Sequence, residues 1–190
     1  GFTCQYLSTT AGSVWKTTDG GTNWTQFTLT GQTGTAIRVY GISFVDTSLG
    51  WAINYTPRPY KTTDGGATWT RDSIVDAFGG FMYDIQMLNA TTGYICGSSG
   101  KIYKTTNGGV LWDTLSKPVT NTWNALQFRD VNNGIVDGSK DAIIKNTNSG
   151  TNWTVEENNL YSREKKHGIR FLNFLLCFLV GSYYIPKTGY

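Results

Sequence analysis

Charge is scarce in this 190-residue chain. Asp, Glu, Lys and Arg make up only 15% of it, and the net charge is +3. An average domain carries roughly 25% charged residues. Lysines recur singly, so no clustered basic face of the kind nucleic acid needs is expected. The one dense run, Arg163-Glu164-Lys165-Lys166-His167, contains an acid and reads as a solvated loop. Histidine occurs once, at His167, and no Ser-based elbow motif accompanies it. Glutamate occurs only at Glu156, Glu157 and Glu164, in one late loop, which weighs against a paired-carboxylate hydrolase. Cysteine is too rare and scattered, at Cys4, Cys96 and Cys177, for a disulfide framework. Each thiol reads as a small buried apolar group, although one disulfide is open to them. No CxxC or His/Cys spacing suggests a metal, and no cofactor motif is present. The apolar run 171–180 is about ten residues, too short to span a bilayer as a helix. Neither an initiator Met nor a secretory leader is visible, so a mature or excised segment is expected.

What is abundant is glycine (23), tryptophan (7) and threonine at turns. They fall into a repeat. Four segments align: 14–24 (VWKTTDGGTNW), 60–69 (YKTTDGGATW), 102–112 (IYKTTNGGVLW) and 144–153 (IKNTNSGTNW). Their closing residues, Trp24, Trp69, Trp112 and Trp153, are spaced 45, 43 and 41 residues apart. A second signal keeps the beat: Ile42-Ser43-Phe44, Ile85-Gln86-Met87, Leu126-Gln127-Phe128 and Ile169-Arg170-Phe171 alternate apolar and polar. A third lies between them, at Gly50-Trp51, Gly93-Tyr94 and Gly134-Ile135. Each unit reads as four short strands, with Asp-Gly or Asn-Gly supplying positive φ at the last hairpin. No sustained 3.6-residue period exists, so almost no helix is expected. Four strands per 40–45 residues is the pattern of a propeller blade. The expected fold is therefore all-β: a β-propeller of four-stranded antiparallel blades, about four and a half of them, in a partial or assembly-completed ring. The units are placed at about 1–30, 37–73, 81–116, 122–157 and 167–190 of one domain, 1–190.

The turn fits S/T-x-D-x-G-x-x-W, the Asp-box. Its positions are Asp19, Gly21 and Trp24; Asp64, Gly66 and Trp69; Asn107, Gly109 and Trp112; and Asn148, Gly150 and Trp153. Asp or Asn accepts backbone N–H bonds inside its own turn, Gly permits the bend, and Trp packs beneath it. Asp-to-Asn exchange between repeats keeps that shape and discards the charge. The box therefore reads as a structural corner and not as a metal or acid–base site. The D-x-D-x-D-G spacing of a calcium loop is absent.

With these residues in hand, the combination I-x-F-x-D, G-W/Y and I-Y-K-T-T-D-G-G-x-x-W resembles the photosystem II assembly factor Ycf48-like family of BNR/Asp-box propellers. The resemblance runs from about Cys4 to Lys187. It implies a propeller that usually has seven blades, so this chain is expected either to self-associate or to lack further blades. Similar blades occur in secreted bacterial proteins, sortilin-type receptors and xyloglucan-degrading hydrolases.

The expected function is a non-enzymatic binding or scaffolding propeller with a protein or glycan partner and no catalytic residue. A Thr- and Asn-rich, charge-poor texture suggests a secreted or cell-surface bacterial protein. The resemblance offers the alternative of a thylakoid-associated, photosystem-type assembly factor. A sialidase- or xyloglucanase-like hydrolase is the other alternative, and Asp72, Asp76, Asp84 and Asp130 are the acids it could draw on. A propeller presents loops from a rigid ring. The least repeat-like loops, 55–60 and 76–83, offer Arg58, Tyr60, Phe78 and Tyr83 as a binding surface. Arg38, Arg129 and Arg170, beside the first strands, join them, because aromatics and Arg dominate contact surfaces.

Overall fold

A computed structural model describes residues 1–5, 13–29, 39–54, 59–71, 80–115 and 119–156, and the backbone of 166–173 and 176–181. The first sheet holds β1 (Phe2–Gln5), β2 (Ser13–Lys16) and β3 (Thr25–Thr28). Three four-stranded sheets follow. The second is β4 (Val39–Phe44), β5 (Gly50–Asn54), β6 (Tyr60–Thr62) and β7 (Thr70–Arg71). The third is β8 (Met82–Met87), β9 (Gly93–Gly97), β10 (Ile102–Thr105) and β11 (Asp113–Thr114). The fourth is β12 (Trp123–Phe128), β13 (Gly134–Gly138), β14 (Ile143–Asn146) and β15 (Trp153–Glu156). A hairpin of β16 (Lys166–Asn173) and β17 (Leu176–Gly181) comes last. All neighbours pair antiparallel in chain order, and the first strands of successive sheets pack on one another. The chain is an all-β propeller segment.

The first sheet holds strands two to four of its blade, and the innermost first strands β4, β8, β12 and β16 each carry a register shift near their start: between Val39 and Gly41, Met82 and Asp84, Trp123 and Ala125, and Lys166 and Gly168. A bulge there bends the innermost strand at the same point in each blade.

The core lies between blades. Second-strand aromatics of one blade meet the first strand and the box tryptophan of the next. Phe2 stacks on Phe44 at 3.5 Å, and Tyr94 on Phe128 at 3.6 Å. Trp69 and Trp153 then meet those same Phe rings edge-on, at 5.9 and 6.1 Å. Between the second and third blades, Trp51, Met87 and Trp112 share one buried cluster. Removing one such ring costs about 3–5 kcal/mol, a large part of a typical domain's stability. The glycine before each second-strand residue is a matter of space. A Cβ on Gly50 or Gly134 would sit 2.4 Å from the ring of Phe44 or Phe128.

Polar side chains also cross between blades. The Met87 N–H donates to Ser43 Oγ at 2.8 Å. Gln86 clamps Phe128, accepting from its N–H at 2.6 Å and donating to its carbonyl at 2.9 Å. Ser43 and Gln86 are the middle residues of the I-x-F pattern. Each satisfies backbone of the next innermost strand, which would otherwise be buried without a partner.

Cys4 and Cys96 carry free thiols, half-buried and buried. Burial pushes both thiols up, Cys96 far more than Cys4. The Cys177 side chain lies outside the described residues.

Candidate functional site

Strands one and three of a blade run the same way, so each blade places two turns at one end: the turn after strand one and the Asp-box after strand three. In the first box, Thr17 Oγ1 accepts from the Gly21 N–H at 2.8 Å and donates to Asp19 Oδ1 at 2.7 Å. Asp19 Oδ1 also accepts from the Asn23 N–H at 2.9 Å, and Oδ2 from Asn23 Nδ2 at 2.7 Å. The second box repeats this with Thr62, Asp64, Gly66 and Thr68. The third keeps the Oδ1 bonds, Asn107 accepting from the Leu111 N–H at 2.9 Å and Thr105 from the Gly109 N–H at 2.9 Å. In the fourth, Asn146 replaces Thr and does both its jobs, accepting from the Gly150 N–H at 2.7 Å and donating to Asn148 Oδ1 at 2.9 Å.

The first glycine of the second and third boxes has φ near +72°, a backbone shape that glycine takes at little cost. Ser149 adopts it in the fourth box, at φ 63°. The tryptophan ring lies under the second glycine, 3.6 Å from a Cβ built on Gly21 or Gly66. Trp69, Trp112 and Trp153 are buried by the preceding blade. Trp24, with no preceding blade among the described residues, is 41% exposed.

The neighbouring turn is a second Asx corner. Asp46, Asn89 and Asp130 each accept the N–H groups two and three residues on. The two corners of a blade are tied: Gly65 N–H donates to Ser48 O and Gly108 N–H to Thr91 O, both at 2.8 Å.

These donors fix the carboxylates as anions. The Asn23 N–H first, then the Thr17 hydroxyl, lowers Asp19 to about 2. The Thr68 hydroxyl and N–H do the same for Asp64. The Asn133 side chain and then Arg129 lower Asp130 to about 2. The N–H groups of Leu49 and Ser48 lower Asp46. Acids held this far down, with their oxygens occupied, are poor proton donors near neutrality. Asp84 is occupied too, accepting from the N–H groups of Ile85 and of Leu126 in the next blade, both at 2.9 Å. Among the described residues no three His, Cys, Asp or Glu side chains converge as a metal site. No helix there is long and apolar enough to cross a membrane.

Of the expected binding surface, Tyr60, Tyr83 and Arg129 lie among the described residues. Tyr60 is not a surface residue. It sits on β6, fully buried with Val14, Leu29, Val39, Ala52 and Trp69. Its register explains this, since Tyr103 and Ile144 hold the same place, directly before the repeated lysine, and that place faces the preceding blade. The repeat itself carried the signal. Arg129 lies at the turn end and pairs with Asp130 at 2.8 Å. Tyr83 lies near the start of β8, at the opposite end, half-buried and edge-on to Tyr40 of the neighbouring blade at 5.7 Å. Described candidates thus occupy both ends of the blades and an interior. Arg38, Arg58, Phe78 and the Arg170 side chain lie outside the described residues, as do Asp72 and Asp76.

The repeated lysines are more than scattered charges. Lys61 donates to Gly108 O in the next blade's box at 3.1 Å, and Lys104 to Ser149 O at 2.9 Å. Each ammonium also lies over its own blade's second-strand ring, Trp51 at 5.2 Å and Tyr94 at 5.7 Å. These lysines are cationic struts between blades. Their constant place in the repeat, one residue from the core aromatic, was the available signal.

The sequence model of the family described as Photosynthesis system II assembly factor YCF48 matches residues 3–122. Among solved structures, YCF48 bound to a D1 peptide superposes with a TM-score of 0.67 at 20% identity, over 90% of this chain and 60% of that one. YCF48 from Cyanidioschyzon merolae gives 0.64 at 20%, over 90% and 63%. The GH74 enzyme of Niastella koreensis gives 0.64 at 17%, over 88% and 29%. The chain therefore spans about three-fifths of the YCF48 structures it resembles. At these identities the superpositions speak for the fold alone. A search of curated sequences finds no match.

Proposed function

The chain belongs to the photosynthesis system II assembly factor YCF48 family, and on that premise we propose that it is a non-enzymatic propeller that binds a polypeptide during assembly of a larger complex. The observation that carries this reading is the family match over residues 3–122. A relative of the same fold has been solved with a D1 peptide bound, which makes a peptide the favoured ligand over a glycan. The turn geometry is consistent with that choice, because the repeat's acids hold corners together. A thylakoid-associated setting then replaces the secreted or cell-surface one. Tyr83, beside Tyr40, is the described candidate contact, since half-buried aromatics give large contact area at low entropic cost.

Fluorescence anisotropy with labelled D1 peptides and scrambled controls tests this. The expected result is saturable binding of one peptide, weakened by about 1–2 kcal/mol in Tyr83→Ala and unchanged in Arg129→Ala. Loss on Arg129→Ala alone would move the surface to the turn end. Release of sugar from a xyloglucan oligosaccharide, without peptide binding, would overturn the reading in favour of a hydrolase.

A further inference from the structure

Asn107-Gly108 is an Asn-Gly pair inside a box turn; the other boxes carry Asp-Gly or Asn-Ser there. The pair is chemically reactive because an unbranched glycine lets its own nitrogen approach the preceding side chain. Asn107 is exposed, and its Oδ1 is held by the Leu111 N–H at 2.9 Å and the Thr105 hydroxyl at 3.0 Å. The nucleophile is held as well: the Gly108 N–H donates to Thr91 O at 2.8 Å. That carbonyl belongs to the 89–92 turn, which Asn89 Oδ1 organises by accepting from the N–H groups of Thr91 and Thr92 and from the Thr91 hydroxyl.

We propose that Asn107 is a deamidation site, gated by the hydrogen bond that ties Gly108 to the neighbouring turn. When that tie opens, the Gly108 nitrogen attacks Asn107 Cγ. The N–Cγ bond forms, the Cγ–Nδ2 bond breaks, and the amide nitrogen leaves as ammonia carrying the glycine proton. Water opens the resulting succinimide at either carbonyl. One product is aspartate at position 107, which reproduces the chemistry of the first two boxes and adds a negative charge to an exposed turn. The other is isoaspartate, whose extra backbone methylene withdraws the acceptor from Leu111.

Asn133-Gly134 is the natural internal control. Asn133 Nδ2 is bound to both oxygens of Asp130, at 2.9 and 3.1 Å. Gly134 is buried in β13, paired with Phe128 on one side and Asn146 on the other. Opening that site requires breaking a sheet. Gly108 is buried as well, but it is held by the turn bond at its nitrogen and by the Lys61 ammonium and Trp51 indole N–H at its carbonyl; parting these breaks no strand pairing and is a smaller and more frequent event.

The test is peptide mapping by mass spectrometry, with isoaspartate detection, after incubation in mildly alkaline buffer. In the folded chain, Asn107 should convert faster than Asn133, yet roughly tenfold or more slowly than in the urea-unfolded chain. Asn89→Ala should raise the native rate at Asn107 several-fold and leave Asn133 unchanged. Asn89→Asp, which keeps the acceptor oxygen, should behave as the parent and keeps the test valid if Asn89→Ala unfolds. Equal rates at Asn107 in folded and unfolded chains would overturn the proposal. So would faster conversion at Asn133 than at Asn107 in the folded chain, an unchanged Asn107 rate in folded Asn89→Ala, or equal acceleration at both sites.

Discussion

The second and third blades make the same corner from different chemistry. In the second, Asp64 uses both oxygens: Oδ1 takes the Thr68 N–H, and Oδ2 takes the Thr68 hydroxyl. In the third, Leu111 stands where Thr68 stood and offers no side-chain donor, and the acceptor is Asn107. Leu111 and its neighbour Val110 are then 42% and 64% exposed. What the corner requires is one acceptor oxygen above the turn and one hydroxyl or amide beneath it. The second carboxylate oxygen, and the charge with it, is an addition that pays only where residue four positions on can reach it.

The largest effect should come from the shared element. Thr62→Val and Thr105→Val each strip the acceptor from a buried glycine N–H, at about 1–3 kcal/mol by urea unfolding. The two losses should be similar in size, because each removes the same acceptor from the equivalent glycine N–H; a much larger loss in Thr62→Val would restore a special role to the charged turn. Acid should separate the turns next. Asp19 and Asp64 are lowered from 3.8 to about 2 in the folded chain. Their contribution is present above 3.8 and fades as pH falls through about 2. Both groups are solvent-exposed and screened, so the slope is shallow. Urea midpoints of an Asp19→Asn/Asp64→Asn variant should therefore fall less steeply than the parent's across that window. A parallel fall would show that these two acids do not report on the fold. The smallest effect is the transplant. The carboxyl introduced by Asn107→Asp should titrate lower, by NMR, when Leu111→Thr accompanies it, because the hydroxyl then serves the second oxygen. No difference between single and double variants would break the pairing of acid with side-chain donor.

Much of this was legible along the chain because a repeat compares a sequence with itself. Three in-phase signals revealed the blades, and Asn107 and Asn148 exposed the box as a corner. Tyr60 belongs at once to the 55–60 loop and to the repeat, and its place before the lysine, the same as that of Tyr103, decides its burial. The role of the lysines is hidden in the sequence because their acceptors are carbonyls of the next blade, 47 and 45 residues away, and backbone acceptors leave no mark on residue identity.

Local chemistry therefore sufficed for the strands, the turns and the family, since hydrogen bonds within five residues and an alternating pattern are written in adjacent letters. Contacts between blades were settled by packing. Glycine before the second-strand residue, the rings stacked at 3.5 and 3.6 Å, the lysine struts and the exposure of Trp24 all depend on which surface lies opposite, and only the folded chain brings those surfaces together.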